Sequence, residues 1–77
     1  MKYRINLANN LVMLFPDLSS TVFLRSSSAL TIKEIGAKVG VPHLLLVGGL
    51  IDSTLLQPDD KVEQDADIVL LGPVAGG

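Results

Sequence analysis

The sequence predicts an α+β domain, a mixed β-sheet with one main helix packed across it. Three observations carry that expectation. An alternating run opens the chain, a capped amphipathic helix occupies its middle, and a continuous apolar run lies close to its C-terminal end. With 77 residues, one domain spanning 1–77 is the sensible count. A domain this small buries a modest share of its surface. The 48% hydrophobic content offsets that weakness and argues against disorder.

Tyr3, Ile5 and Leu7 alternate with Lys2, Arg4 and Asn6. That period of two predicts a half-buried first strand. Asn9-Asn10 is a turn signal. Leu11 to Phe15 is apolar without clear alternation, and reads as an apolar loop or a short strand stopped by Pro16-Asp17. Thr21 to Arg25 is rich in β-formers and predicts a second strand, with Val22 and Leu24 on one face and Phe23 on the other. Ser26-Ser27-Ser28 reads as a loop.

Thr31 and Glu34 have the spacing of a capping box, in which each side chain serves a backbone N–H of the first turn. Ile32, Ile35 and Val39 follow at i, i+3 and i+7 and form one apolar face. Gly40 suits the C-terminal cap and Pro42 prevents continuation. Gly36 inside the helix costs about 1 kcal/mol against alanine, which points to close packing or a frayed helix. Leu44 to Val47 predicts a strand, and Gly48-Gly49 a two-residue hairpin turn leading to a return strand at Leu50-Ile51. Pro58-Asp59-Asp60-Lys61 predicts a further turn. Ile68 to Leu71 is apolar throughout, as in a strand covered on both faces, and Pro73 ends its ladder.

The order is therefore β-β-α-β-β-β, with one helix. Laying that helix across a mixed sheet, with the first and last strands central, gives the β-grasp, or ubiquitin-like, fold. Composition excludes several functions. The formal net charge is -2 and the pI about 5.0, so no nucleic-acid surface is expected. There is no cysteine, hence no disulfide, zinc-thiolate site or thiol nucleophile. No apolar run approaches the roughly 20 residues that span a bilayer, and Met1-Lys2-Tyr3-Arg4 lacks a signal peptide's apolar core. These features predict a soluble, cytoplasmic protein without a membrane partner.

The chain ends Gly72-Pro73-Val74-Ala75-Gly76-Gly77. With glycine at roughly 7% of residues, a terminal Gly-Gly pair arises by chance in about one chain in 200. Residues 72–77 are expected to form a flexible tail whose lack of bulk suits a narrow active site. The last third as a whole resembles the small sulfur-carrier proteins of the ThiS/MoaD group. In that group a strand of the type L-x-x-V-N-G precedes a short return strand. A leucine, an acidic turn D-G-D-x-V, an apolar strand and P-V-x-G-G follow. The equivalents here are Leu44-Leu45-Leu46-Val47-Gly48-Gly49, then Leu50-Ile51-Asp52, Leu56, Pro58-Asp59-Asp60-Lys61-Val62, Ile68-Val69-Leu70-Leu71 and Pro73-Val74-Ala75-Gly76-Gly77. The chain departs from the pattern where Gly48 replaces asparagine and where the acidic turn lacks its glycine. Gly72 also stands where molybdopterin-synthase small subunits usually carry a first proline.

The resemblance implies a function. An E1-like adenylyltransferase threads the tail to ATP, and the Gly77 carboxylate becomes an acyl adenylate. A sulfur donor then displaces AMP to leave a thiocarboxylate. An acceptor synthase subunit takes that sulfur for molybdopterin, thiamine-thiazole or a related cofactor. Gly76 and Gly77 form the activated end, and Gly72, Pro73, Val74 and Ala75 the partner-binding tail. The domain supplies no catalytic side chain, binds no metal or cofactor of its own, and uses ATP through the activating enzyme. It is then a co-substrate, not an enzyme. Two rivals remain: a ubiquitin-like modifier joined through Gly77 to lysines of target proteins, and a β-grasp binding module with an inert tail.

Other candidates are weaker. Asp59, Asp60, Glu63, Asp65 and Asp67 concentrate acid before the last strand, where a solvated loop is the favoured reading over steering toward a basic groove. Leu11 to Phe15, Phe23 and Leu44 to Leu46 could leave an exposed apolar docking patch or be ordinary core. His43 stands alone and reads as a loop histidine.

Overall fold

In the computed structural model, which describes residues 1–73, strand β1 (Lys2–Leu7) is an interior strand of the sheet. Its alternation sends Tyr3, Ile5 and Leu7 into the core, as the period of two requires. Strand β2 (Thr21–Arg25) pairs antiparallel on one side of it and β7 (Ala66–Leu71) parallel on the other. β4 (Gly48–Ile51) pairs antiparallel with β7, and β5 (Thr54–Leu56) closes the far edge. The five-stranded order is β2-β1-β7-β4-β5, mixed in direction, with the first and last strands central. A second, two-stranded ribbon joins β3 (Leu30–Thr31) to β6 (Lys61–Val62).

The main helix, α2 (Ile32–Val39), packs across the five-stranded sheet, an arrangement consistent with the expected β-grasp. Its capping box forms as the spacing predicts. Thr31 Oγ1 accepts from the Glu34 N–H at 3.1 Å, and the Thr31 N–H donates to Glu34 Oε1 at 2.8 Å. Two further N–H groups of its first turn, of Ile32 and Lys33, donate to the carbonyls of Asp60 and Pro58. The turn at Pro58, closed by the Asp60 N–H to the Gln57 carbonyl, thus also serves the helix start. Gly40 ends α2 with φ of 103°, a left-handed cap. Gly36 reports close packing: a Cβ there would lie 2.8 Å from Leu46 Cδ2.

Ile32, Ile35, Val41 and Leu46 from the helical layer meet Tyr3, Ile5, Ile68 and Leu70 from the sheet in one core. Tyr3 brings the only hydroxyl into it. That hydroxyl donates to the Val62 carbonyl at 2.8 Å and accepts from the Leu30 N–H at 3.3 Å, tying the small ribbon to the main sheet.

Besides the two-residue strands β3 and β6, which the expected order lacks, the structure departs from expectation in four places. Residues Asn9–Leu14 form a short helix, α1, rather than a loop or strand. It starts at Ala8 without a side-chain cap, and what holds it is tertiary: Leu11 is fully buried. Second, Leu44 to Val47 is not a strand. His43–Leu45 form a 3₁₀ turn, with Leu44 exposed and Leu46 in the core. Third, Gly48-Gly49 is not the hairpin turn but the start of β4. The turn falls at Asp52-Ser53, whose φ values of 50° and 69° are those a two-residue type I′ connection requires. Gly49 is needed for contact instead, since a Cβ there would lie 2.9 Å from Ile32 Cδ1, where α2 crosses the sheet. Fourth, the apolar run at Ile68 alternates in burial. Ile68 and Leu70 face the helix and are fully buried, whereas Val69 and Leu71 lie half-buried on the outer face. Among the described residues no helix is long and apolar enough to cross a membrane.

Candidate functional site

Of the tail residues singled out by sequence, Gly72 and Pro73 belong to the described structure. Val74, Ala75, Gly76 and Gly77, including the end expected to be activated, lie outside the described residues. The candidate site is therefore the root from which that tail leaves the sheet.

The root is built on β7, gripped from both sides. At its C-terminal end the Ala8 N–H donates to the Leu70 carbonyl at 2.9 Å, and the Val47 N–H to the Leu71 carbonyl at 2.8 Å. Beyond Leu71 the neighbouring strands offer no further partner, and a side chain takes over. Asn10, on α1, accepts from the Gly72 N–H through Oδ1 at 3.2 Å and donates through Nδ2 to the Gly72 carbonyl at 2.8 Å. The same Nδ2 reaches the Pro73 carbonyl at 3.3 Å. A carboxamide carries one acceptor and a donor pair in the geometry of a peptide group. Asn10 thus acts as one more rung of the ladder and extends the held chain by a residue.

The same short helix explains why position 72 is glycine. Gly72 is buried, and a Cβ on it would lie 2.6 Å from Leu11 Cδ2 and 2.8 Å from Leu11 Cγ. Leu11 cannot retreat easily, because it is fully buried in the core. Glycine thus lets α1 close over the root, and Asn10 and Leu11 hold it from adjacent positions. The sequence reading placed Asn10 in a turn and Leu11 in a possible docking patch, and neither at the tail root. Asn10 bonds a partner 62 residues away, and nothing local distinguishes it from a turn asparagine.

On the outer face an apolar band leads to this root. Val69 is paired with Leu50, and Leu50 with Leu55, so the three side by side cross β7, β4 and β5. Leu71, beside Gly48, continues the band toward Gly72. Leu55 and Val47 are about half exposed, at 50% and 49%, and Met13 on α1 is 82% exposed. The patch expected from Leu11 to Phe15, Phe23 and Leu44 to Leu46 is thus divided. Leu11 and Leu46 are core, whereas Met13, Leu14, Phe23 and Leu44 are exposed.

The acidic run is distributed among local partners. Asp59 pairs with Lys33 at 3.1 Å, Asp60 accepts from the Gln57 N–H, Asp65 from the Lys2 N–H, and Asp67 pairs with Arg4 at 3.3 Å. His43 is exposed at the start of the 3₁₀ turn, and among the described residues no cluster of three or more metal-ligating side chains occurs. The chain matches no protein-family model and no curated protein by sequence.

Proposed function

We propose that this domain is a sulfur carrier whose C-terminal glycine is activated by an E1-like adenylyltransferase. One observation carries the reading: the central strand leads directly into the Pro73-Val74-Ala75-Gly76-Gly77 run from a root fixed by Asn10 and Leu11. A fixed root sets where the chain leaves the sheet, and proximity chemistry depends on such placement. The apolar band of Leu50, Val69 and Leu71, ending at that root, suits the docking of the activating enzyme.

In the proposed reaction a carboxylate oxygen of Gly77 attacks the α-phosphorus of ATP and pyrophosphate leaves. Sulfide then attacks the acyl carbon and displaces AMP, leaving a thiocarboxylate. A persulfide donor requires a second thiol, which releases the carrier and ends as a disulfide. The carrier contributes the reacting end and its placement, while the activating enzyme contributes the acid–base groups.

Incubation with an E1-like enzyme of the same cell, ATP and a sulfur donor tests this by intact mass. Exchange of one oxygen for sulfur at the C-terminus, lost on deletion of Gly77, is the expected result. Isopeptide adducts on other proteins would make the domain a modifier. An unchanged mass with every such enzyme of that cell would reject activation altogether.

A further inference from the structure

The outer face of the β1–β2 pair is the electropositive part of an acidic protein. Lys2 stands directly across from Arg25, and Arg4 directly across from Phe23. The hydrogen-bond frame fixes the spacing of these pairs. Met1 and Ser26 exchange both backbone bonds, and the Leu7 N–H donates to the Ser20 carbonyl. Hydrogen-bonded and non-hydrogen-bonded pairs alternate along an antiparallel ladder. Lys2–Arg25, Arg4–Phe23 and Asn6–Thr21 are therefore the non-hydrogen-bonded pairs, in which side chains lie closest.

Two consequences follow from that parity. Lys2 and Arg25 are like charges at the closest cross-strand spacing, an arrangement that opposes folding on its own. In addition, the backbone N–H and C=O groups of Thr21, Phe23 and Arg25 turn away from β1. β2 is an edge strand, so these groups form an open row. The other edge differs. Its two-residue turn makes Ile51–Thr54 the hydrogen-bonded pair, so of the three residues in β5 only Leu55 turns its backbone outward.

The charges, an aromatic ring and the Phe23–Arg25 end of the open row meet at one cleft of about 750 Å³, lined in part by Lys2, Arg4, Phe23, Arg25, Asp65 and Asp67. Phe23 is 77% exposed in the middle of β2. The cleft holds three cations against two carboxylates, in a chain of formal charge -2. Asp67 is engaged with Arg4, and Asp65 accepts from the Lys2 backbone. Among the described residues, no carboxylate pairs with the Lys2 ammonium or the Arg25 guanidinium.

We propose that the β2 edge receives an extended acidic segment of a partner protein as an added strand. The segment's backbone bonds to Thr21, Phe23 and Arg25. Its outward acidic side chains lie against Arg25 and Lys2, relieving their mutual repulsion, and an apolar side chain covers Phe23. Strand addition of this kind draws affinity from main-chain bonds and selectivity from alternate side chains. A polyphosphate backbone fits less well. It has no N–H and C=O row to match the edge.

The test needs no activating enzyme, so its outcome is independent of the sulfur-carrier reading. The isotope-labelled full chain is titrated with a short synthetic peptide, Glu-Thr-Val-Thr-Glu, whose glutamates and valine share one face of a strand, and followed by amide NMR. The expected result is shifts and slowed hydrogen exchange at the Thr21, Phe23 and Arg25 amides. Weakening by about tenfold is expected in the Lys2→Glu/Arg25→Glu double variant, and a comparable loss in Phe23→Thr. All three side chains are exposed or partly so, and retention of fold is read from the remaining amide signals. The proposal is overturned if those amides do not respond, or if Leu55 responds instead. Equal binding by the same peptide with lysine in place of both glutamates overturns it too, as does tighter binding of a single-stranded oligonucleotide at the same residues.

Discussion

Replacing Gly72 by alanine probes the closure of α1 over the tail root. The added Cβ would lie 2.6 Å from Leu11 Cδ2 and 2.8 Å from Leu11 Cγ. Carbon atoms pack comfortably at about 3.5–4.0 Å, so about 1 Å of displacement must be found. The φ of Gly72 is not in the left-handed region, so the effect is steric alone. Leu11 has no exposed surface toward which to move, and overpacking of this kind costs about 1–3 kcal/mol. In a domain of this size each kcal/mol lowers Tm by about 4–8 °C. Gly72→Ala is therefore expected to lower urea-unfolding stability by about 1–3 kcal/mol with an unchanged slope. The decisive assay is a double-mutant cycle with Leu11→Ala, in an osmolyte that keeps the truncated background folded. Truncation removes the atoms that the new Cβ meets, so Gly72→Ala should cost nearly nothing there, giving a coupling of about 1–3 kcal/mol. Equal cost in both backgrounds would refute the reasoning.

Asn10→Asp keeps the acceptor for the Gly72 N–H but sets a carboxylate oxygen against the Gly72 and Pro73 carbonyls. It should destabilise by about 1–2 kcal/mol at neutral pH. The gap to wild type should narrow as acid protonates the new carboxyl and restores a donor, which parallel urea titrations across pH would show. Tyr3→Phe strips the buried Val62 carbonyl and Leu30 N–H of their shared partner. A loss of about 1–3 kcal/mol, with faster hydrogen exchange at Leu30, is the expected readout. The Thr31 backbone N–H bond, and then the Thr31 side chain, hold the Glu34 carboxyl below the ordinary glutamate value. A lowered folded value gives stability that is present above the unfolded value and lost as pH falls through the folded one. The Tm difference between wild type and Glu34→Gln, which keeps the cap but not the titration, should change over that acidic window and be flat above it.

What sequence made legible follows from how local each signal is. Thr31 with Glu34, Gly40 and the alternation of β1 act within a few residues, and each reappears in the structure as expected. The mixed sheet with central terminal strands follows from combining them. Elements without a local cause were missed. α1 has no capping side chain and only six residues, too few to be stable alone. Its helical form depends on Leu11 in the core and Asn10 at the tail root. The glycine pair 48–49 misled for a related reason. Glycine signals either a turn or a close approach, and only the position of α2 over Gly49 decides between them. Two-residue strands such as β3 and β6 fall below any period that can be counted.

The outer face of β7 orders the molecule's surface. Asp67, Val69 and Leu71 succeed one another on that face, so it passes from charge to hydrocarbon in three steps along one rigid strand. At the Asp67 end lie Arg4, Phe23 and the open edge of β2. At the Leu71 end lie Gly48, Val47 and the clamped Gly72. On the proposed readings, an activating enzyme would approach the second region and an acidic strand adding to β2 the first. β1, hydrogen-bonded on either side, lies between the open edge of β2 and the Leu71 end of β7. Neither approach requires the other's surface, so one small sheet has room for both at once.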